Sequence, residues 1–354
     1  MQITAVEVVP VDLKLRLPYR TAHHAEPIDG ITAVFVRVET RQGREAWGCA
    51  AFDPAMTGET EEAVVAACES CAERATDLNP LNTEFALDVL SELTKETPSA
   101  LCAFDLAFHD LLGLAAQMPL YRLLGGYRSR IQTSITISIA DVPASVALAR
   151  QRAAQGFRML KIKGGLDPQE DVRRVRAIRA ALPHFTLRLD ADQGYTIQQA
   201  LDVAQALEGK LEMLEQPTPA DDLGALRQVT RRSPVPILAD ESVSQPHSAL
   251  EVAKMRAADG MSIKLTACGG LRCARQIDTI ARVAKMNTMV SCVNQPALLT
   301  AAGLAFALSS RNVEYGDLDG HFDLIGDPTL PGFRVEEGWL VAKDVPGLGC
   351  AVDL

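Results

Sequence analysis

The sequence predicts an α/β fold: a (β/α)8-type barrel with an N-terminal α+β capping domain that the C-terminal tail completes. Three observations predict it. From about residue 131, short β-rich runs alternate with helical stretches eight times. Before about residue 125, strands come first and helices after. The tail, with GDPTLPGF and VPGLGC, is too rich in proline and glycine to form a domain of its own. Repeated βα units of this length imply parallel strands with right-handed crossovers, and eight of them close a barrel.

In the cap, β-type alternation covers Gln2–Leu15, Ile31–Thr40 and Arg44–Phe52, and the last two read as a hairpin turning at Gln42-Gly43. Helical patterns follow over 60–77, 82–94 and 98–117. The third, SALCAFDLAFHDLLGLAAQ, is apolar at nearly every turn and should be buried. The barrel strands are TSITISI, MLKIK, TLRLD, LEMLE, PILAD, SIKL, MVSC and VEYGD. Helical runs such as PQEDVRRVRAIRAAL and TIQQALDVAQAL separate them, and the last helix is degenerate, which makes the barrel (β/α)7β. The expected boundaries are 1–125 for the cap, with a lid loop around 18–30, 126–320 for the barrel, and 321–354 for the returning tail.

With 354 residues, 47% of them hydrophobic, the chain can bury a sizeable core. Its formal charge is 35 − 45 = −10, which argues against nucleic acid or an anionic membrane as partner. No uninterrupted apolar run approaches the ~20 residues that span a bilayer. The N-terminus lacks a signal-peptide pattern, so the reading is cytoplasmic. Eight cysteines, at 49, 68, 71, 102, 268, 273, 292 and 350, lie scattered in mostly apolar surroundings, as reduced buried thiols do. Cys68 and Cys71 form a C-x-x-C inside the helical run VVAACESCAERA, where i and i+3 simply share a face.

A barrel places its site at the C-terminal ends of its strands. Strand two ends in Lys161-Ile162-Lys163, strand three in Asp190, strand four in Glu215, strand five in Asp240 and strand six in Lys264. The spacings 215 − 190 = 25, 240 − 215 = 25 and 264 − 240 = 24 each equal one βα unit, so these positions converge above the barrel axis. Any one strand-end acid could merely cap the next helix; three in step repel one another and call for a hard cation, which suits Mg²⁺. Lys161 and Lys163, at i and i+2, share the inward face. A second ammonium and a nearby cation should draw Lys163 towards the range where it accepts a proton, leaving Lys161 charged. Lys264 arrives from across the barrel mouth. Two lysines on opposite sides of one carbon are what a two-base epimerisation needs.

KIK, LDADQGY, LEQP, LADES and IKLTACGG, in this order and spacing, resemble the enolase superfamily, muconate-lactonizing subgroup, over essentially the whole chain. The resemblance implies that Asp190, Glu215 and Asp240 bind Mg²⁺, that the substrate carboxylate chelates it, and that Lys163 and Lys264 are the acid/base pair with Lys161 assisting. It also implies a homo-oligomer. Two departures stand out. Asp192 replaces the family's usual Asn and reads as a hydrogen-bond acceptor close to the metal, not as a ligand. Ser291-Cys292-Val293-Asn294 replaces the epimerase-like Ser-Met-x-Glu, removing a charge from the pocket wall.

Strand eight ends in Gly316-Asp317-Leu318-Asp319, and Asp317 and Asp319 share a face. The resemblance extends to dipeptide epimerases (Ala-Glu epimerase-like), whose matching Asp-x-Asp binds the substrate α-ammonium; paired carboxylates suit a cationic amine. In the lid, Pro18 to Ala25, His24 stands where members acting on Ala-Glu carry Arg. The expected substrate is therefore a dipeptide whose C-terminal side chain is neutral or hydrophobic. Thr136, which shares a face with Ser134, is a candidate substrate contact; Cys292 and His321 are candidates for pocket lining. The alternatives are an o-succinylbenzoate synthase or cycloisomerase on the same scaffold, and a catalytically silent metal-stabilised binding protein. Asp317 and Asp319 speak against the first, the intact lysines against the second.

Overall fold

The computed structural model describes residues 1–354. Its cap is an antiparallel sheet in which Ile3–Tyr19 pairs with Ile28–Thr40, which pairs with Glu45–Ala51. The hairpin turns where expected, with Gly43 at φ 70 in the left-handed region that glycine adopts at little cost. The first strand runs four residues past its predicted end, to Tyr19. Its far end is held from two sides: Lys14 and Leu15 pair with Ile325 and Leu324, and the Arg16 N–H donates to the Asp323 carbonyl at 2.7 Å, while Tyr19 pairs with Ile28.

Helices Glu61–Ala75 and Pro98–Ala116 pack on this sheet, and Thr83–Ser91 packs on those two helices. Thr60 caps the first, accepting from the Ala63 N–H, and Glu61 and Glu62 in its first turn complement the helix dipole. Pro98–Ala116 is apolar and long enough to span a bilayer by length and composition, yet it is largely buried between the cap sheet and the barrel. Gly48 lets the two approach: a Cβ there would sit 1.7 Å from the Ala103 carbonyl oxygen.

Eight parallel strands follow in sequential order: Ile135–Ile137, Met159–Lys163, Thr186–Asp190, Met213–Glu215, Ile237–Ala239, Gly260–Lys264, Asn287–Ser291 and Val313–Gly316. Thr133 bridges Gly316, and the Ser134 N–H donates to the Gly316 carbonyl at 3.1 Å, so first and last strands meet. Strand alternation sorts the interior into layers. Met213, Leu238 and Met289 form a small apolar cluster, with Tyr315 packed against it, on the barrel floor. Arg188 shares that level, buried, donating to Glu212 at 2.7 Å and to the Gly316 carbonyl at 2.9 Å. Two residues further along the strands lie Asp190, Glu215, Asp240, Ser291 and Asp317. No helix follows strand eight. The tail instead adds Leu324-Ile325 to the cap sheet, and Phe333–Glu336 and Trp339–Ala342 build a small sheet on Arg130–Gln132.

Candidate active site

Register places Lys163 beside Asp190 and Asp190 beside Glu215 on neighbouring strands. One oxygen each from Asp190, Glu215 and Asp240 lies within 4.8 Å of the others, and all three side chains are buried. The lysines converge on them. Lys161 Nζ is 2.9 Å from both Asp190 and Glu215 and donates to Asp317 at 2.8 Å. Lys163 Nζ donates to Asp190 at 2.8 Å and to Asp192 at 2.7 Å. Lys264 Nζ donates to Asp240 from the opposite wall.

Electrostatics here follow from crowding. Burial lifts the Asp190 carboxyl, but Lys161 and Lys163 hold it well below the usual carboxylate range. Burial, reinforced by Asp190, pushes Glu215 far up. Burial and Asp190 raise Asp192 to about 6; burial and Asp317 raise Asp319 to about 6. For Lys163, burial favours the neutral amine, yet Asp190 and Asp192 outweigh it and hold the ammonium well above its ordinary value. The expected downward tuning by Lys161 is present but is the smallest of these influences. Two carboxylates in direct contact act more strongly than one ammonium further off.

Asp317 and Asp319 both face the same pocket as Lys161 and Lys163. Ser134 Oγ donates to Asp317 at 2.6 Å, and the Thr136 N–H donates to Asp319 at 2.6 Å. Thr136 thus lines the pocket while its backbone orients Asp319. Cys292 lines it too, its Sγ 3.6 Å from Asp319. The space is tight, about 50 Å³, but Val293 and Asn294 also border an adjoining cavity of about 560 Å³. Asp12, Asp29, Asp53 and Glu61 line that cavity, with Lys14 as its one lysine.

Two expected pocket residues lie elsewhere. His24 is buried with Nε2 3.2 Å from Asp53 and Nδ1 3.2 Å from Thr21, and it borders the adjoining cavity, not the lysines. Asp53, at the start of a short helix over Pro54–Thr57, supplies the anionic partner that captures the ring. His321 stacks on Phe322 with ring centroids 4.2 Å apart and meets Phe333 edge-on at 5.2 Å; burial lowers its pKa to about 4. That aromatic cluster, and not the pocket, holds it. Cys68 and Cys71 are buried free thiols, and burial pushes Cys71 up to about 12, as a packed helix face requires.

Sequence reasoning missed three participants. His23 contacts Glu241 at 3.0 Å, Glu241 follows Asp240 in LADES, and Ser134 orients Asp317. Ser134 was within reach through the i, i+2 rule that found Thr136.

An eight-stranded barrel under an α+β cap, with acids on three successive strands and lysines on the flanking ones, defines an enolase-type protein. Residues 3–125 match the family "Mandelate racemase / muconate lactonizing enzyme, N-terminal domain", and residues 144–354 match "Enolase C-terminal domain-like". The chain belongs to the mandelate racemase/muconate lactonizing enzyme family. It is 34% identical to the hydrophobic dipeptide epimerase of Enterococcus faecalis, covering 100% of this chain and 99% of that one. It is 35% identical to the L-Lys-D/L-Arg epimerase of Methylococcus capsulatus, covering 99% of each. The crystal structure of the dipeptide epimerase from E. faecalis V583, complexed with Mg and L-Leu-L-Tyr, superposes with a TM-score of 0.96 at 33% identity, covering 99% of this chain and 100% of that one.

Proposed function

We propose that the protein is a Mg²⁺-dependent dipeptide epimerase that inverts the α-carbon of the C-terminal residue of an L,L-dipeptide by two-base 1,1-proton transfer. The observation that carries this reading is the convergence of Lys163 and Lys264, from strands two and six, on one acid cluster with Asp317 and Asp319 at its rim.

The residues present fit the metal. Octahedral Mg²⁺ with bonds of about 2.1 Å holds ligand oxygens about 3 to 4 Å apart, so the acid trio needs little contraction. Neither Glu215 oxygen has a hydrogen-bond partner, and only Lys161, 2.9 Å from one of them, competes with a metal there. When bound, Mg²⁺ supplies Lewis-acid stabilisation to negative charge developing on the substrate carboxylate. Lys163 and Lys264 face the α-carbon from opposite sides; one removes the proton and the other returns it. Lys161 stays charged and stabilises the same developing charge. Asp190, drawn to a bound cation, would pull less on the Lys163 ammonium.

Asp317 is already engaged by Lys161 and Ser134, so Asp319 is the freer acceptor for the substrate α-ammonium. An o-succinylbenzoate synthase or cycloisomerase needs no such pair. His24, committed to Asp53, offers no free cation for an acidic side chain, which supports a neutral or hydrophobic C-terminal residue. The acidic lining of the adjoining cavity favours a second reading, a basic side chain. We read 1–125 as the cap, 126–320 as the barrel and 321–354 as the segment that closes the cap. We place this protein in the cytoplasm, as a homo-oligomer; its eight unbridged thiols suit a reducing compartment.

A dipeptide library in D₂O with Mg²⁺, read by mass spectrometry, tests the function. Free dipeptides with neutral or basic C-terminal residues should gain deuterium at the α-carbon; acidic ones should not. If N-acetylated dipeptides label equally well, the ammonium role of Asp317 and Asp319 is lost. If no dipeptide labels, the reading fails.

A further inference from the structure

The turn after barrel strand three carries a buried carboxylate that the proton-transfer scheme leaves unused. Asp192 Oδ1 accepts from Lys163 Nζ at 2.7 Å, and its Oδ2 accepts from the lid's Ala22 N–H at 3.4 Å. The next lid residue, His23, meets Glu241 at 3.0 Å and stands 3.8 Å from Asp192 Oδ1. The turn itself is held in a costly shape. Asp192 and Gln193 lie in the left-handed region, at φ 43 and 68. The Gln193 N–H donates to the Gln216 carbonyl at 2.8 Å, and its Oε1 accepts from the Ala220 N–H at 2.8 Å. Such strain persists where surrounding contacts over-determine it, as they do at functional sites. Lys264 has no equivalent support; its carboxylate partner is Asp240 alone.

We infer that Asp192 is a positioning residue for Lys163, a single carboxylate shared between that lysine and the lid, so that lid closure sets one of the two proton-transfer groups and not the other. The inference rests on the two-base reading above. Asp190 belongs to the acid cluster and is drawn towards a bound cation, which leaves Asp192 as the acceptor that fixes the Lys163 amine. A lysine side chain has four rotatable bonds, and without a fixed partner it spreads over many rotamers. The lid backbone then holds Asp192 from the far side.

The design predicts an asymmetry that a merely structural role cannot produce. Inversion passes through both lysines whichever epimer it starts from. Exchange of the α-proton without inversion isolates one lysine: deprotonation, exchange of the ammonium with D₂O, and return to the same face. Lys163→Ala in the Mg²⁺-loaded full-length protein first identifies the epimer whose exchange needs Lys163. Asp192→Asn should then slow exchange from that epimer by about tenfold or more, and from the other by less than about threefold. Its Mg²⁺ affinity, by calorimetry, should stay within about threefold of wild type, since the Asp192 side chain bonds Lys163 and the lid and does not orient a ligand as an outer-shell partner would. His23→Ala, which loosens the lid, should bias its loss towards the same epimer. Equal losses from both epimers in either variant overturn the inference. So does an unchanged Asp192→Asn enzyme, or a drop of about tenfold in its Mg²⁺ affinity. A wild type that exchanges no dipeptide overturns the dipeptide reading itself, and this one with it.

Discussion

Glu215 is the sharpest single test of the acid cluster. Its side chain is fully buried, neither oxygen has a hydrogen-bond partner, and Lys161 at 2.9 Å is its nearest opposite charge. An ionised carboxylate in that position costs several kcal/mol unless a cation offsets it. Glu215→Gln should therefore weaken Mg²⁺ binding by about a hundredfold in calorimetry, while thermal stability without metal holds or rises. Unchanged affinity would remove Glu215 from the ligand set. At this scale the sequence was most legible where period and unit length agree. Strand alternation and spacings of 25, 25 and 24 point Asp190, Glu215, Asp240 and Lys264 at one spot in the barrel mouth, and the structure gathers the three acids there with Lys264 on Asp240. Charge state and partner choice were not legible. Lys161 meets Asp317 across 156 residues, and His24 pairs with Asp53 across 29; no local pattern encodes either contact.

Helices and strands were predicted close to their observed places because their signals are local. Glu61–Ala75, Thr83–Ser91 and Pro98–Ala116 fall within the predicted ranges, bounded by Thr60, Asn82 and Thr97. The joint between cap and barrel was invisible, since it is made by residues far apart in sequence. Asp105, buried on Pro98–Ala116, accepts from the Leu271 N–H at 2.8 Å and from the Arg272 N–H at 3.1 Å. It thereby caps the barrel helix Leu271–Val283 from another element, where no side chain of that helix does so. Gly270, at φ 108, permits the approach: a Cβ there would lie 2.5 Å from the Asp105 side chain. One segment earlier, Thr266 donates to the Ala51 carbonyl of the cap sheet. Lys264 therefore leads into a segment that the cap holds at two points. Asp105→Ala strips buried donors of their acceptor and should cost about 2–4 kcal/mol in urea unfolding. A loss below about 1 kcal/mol would mean that water replaces the carboxylate and the joint lies elsewhere.

Over the whole molecule, one buried carboxyl group joins the contacts that tie the chain's last residues back to its first third. Asp110, on the same buried helix, accepts from the Leu348 N–H at 2.6 Å. Gly347 runs so close that a Cβ there would sit 2.1 Å from the Asp110 side chain, and its carbonyl accepts from the Leu120 N–H at 2.8 Å. Burial pushes the Asp110 pKa up to about 7, only partly countered by the Leu348 bond. An acid whose folded pKa is raised favours the native state most when both states are protonated. That contribution is fully present below about pH 4 and lost as pH rises through about 7. Between pH 5 and pH 8 the loss amounts to about 2–3 kcal/mol for this group. Asp110→Asn keeps an oxygen for Leu348 but has no proton to lose. Denaturant unfolding at the two pH values should show wild type losing about 2–3 kcal/mol more than the variant over that interval. Identical pH dependence would mean that Asp110 titrates normally and that water reaches the joint. The predicted difference instead makes the docking of residues 345–350 a joint that rising pH loosens through one group, apart from the site carboxylates Asp192 and Asp319, which Asp110→Asn leaves unchanged.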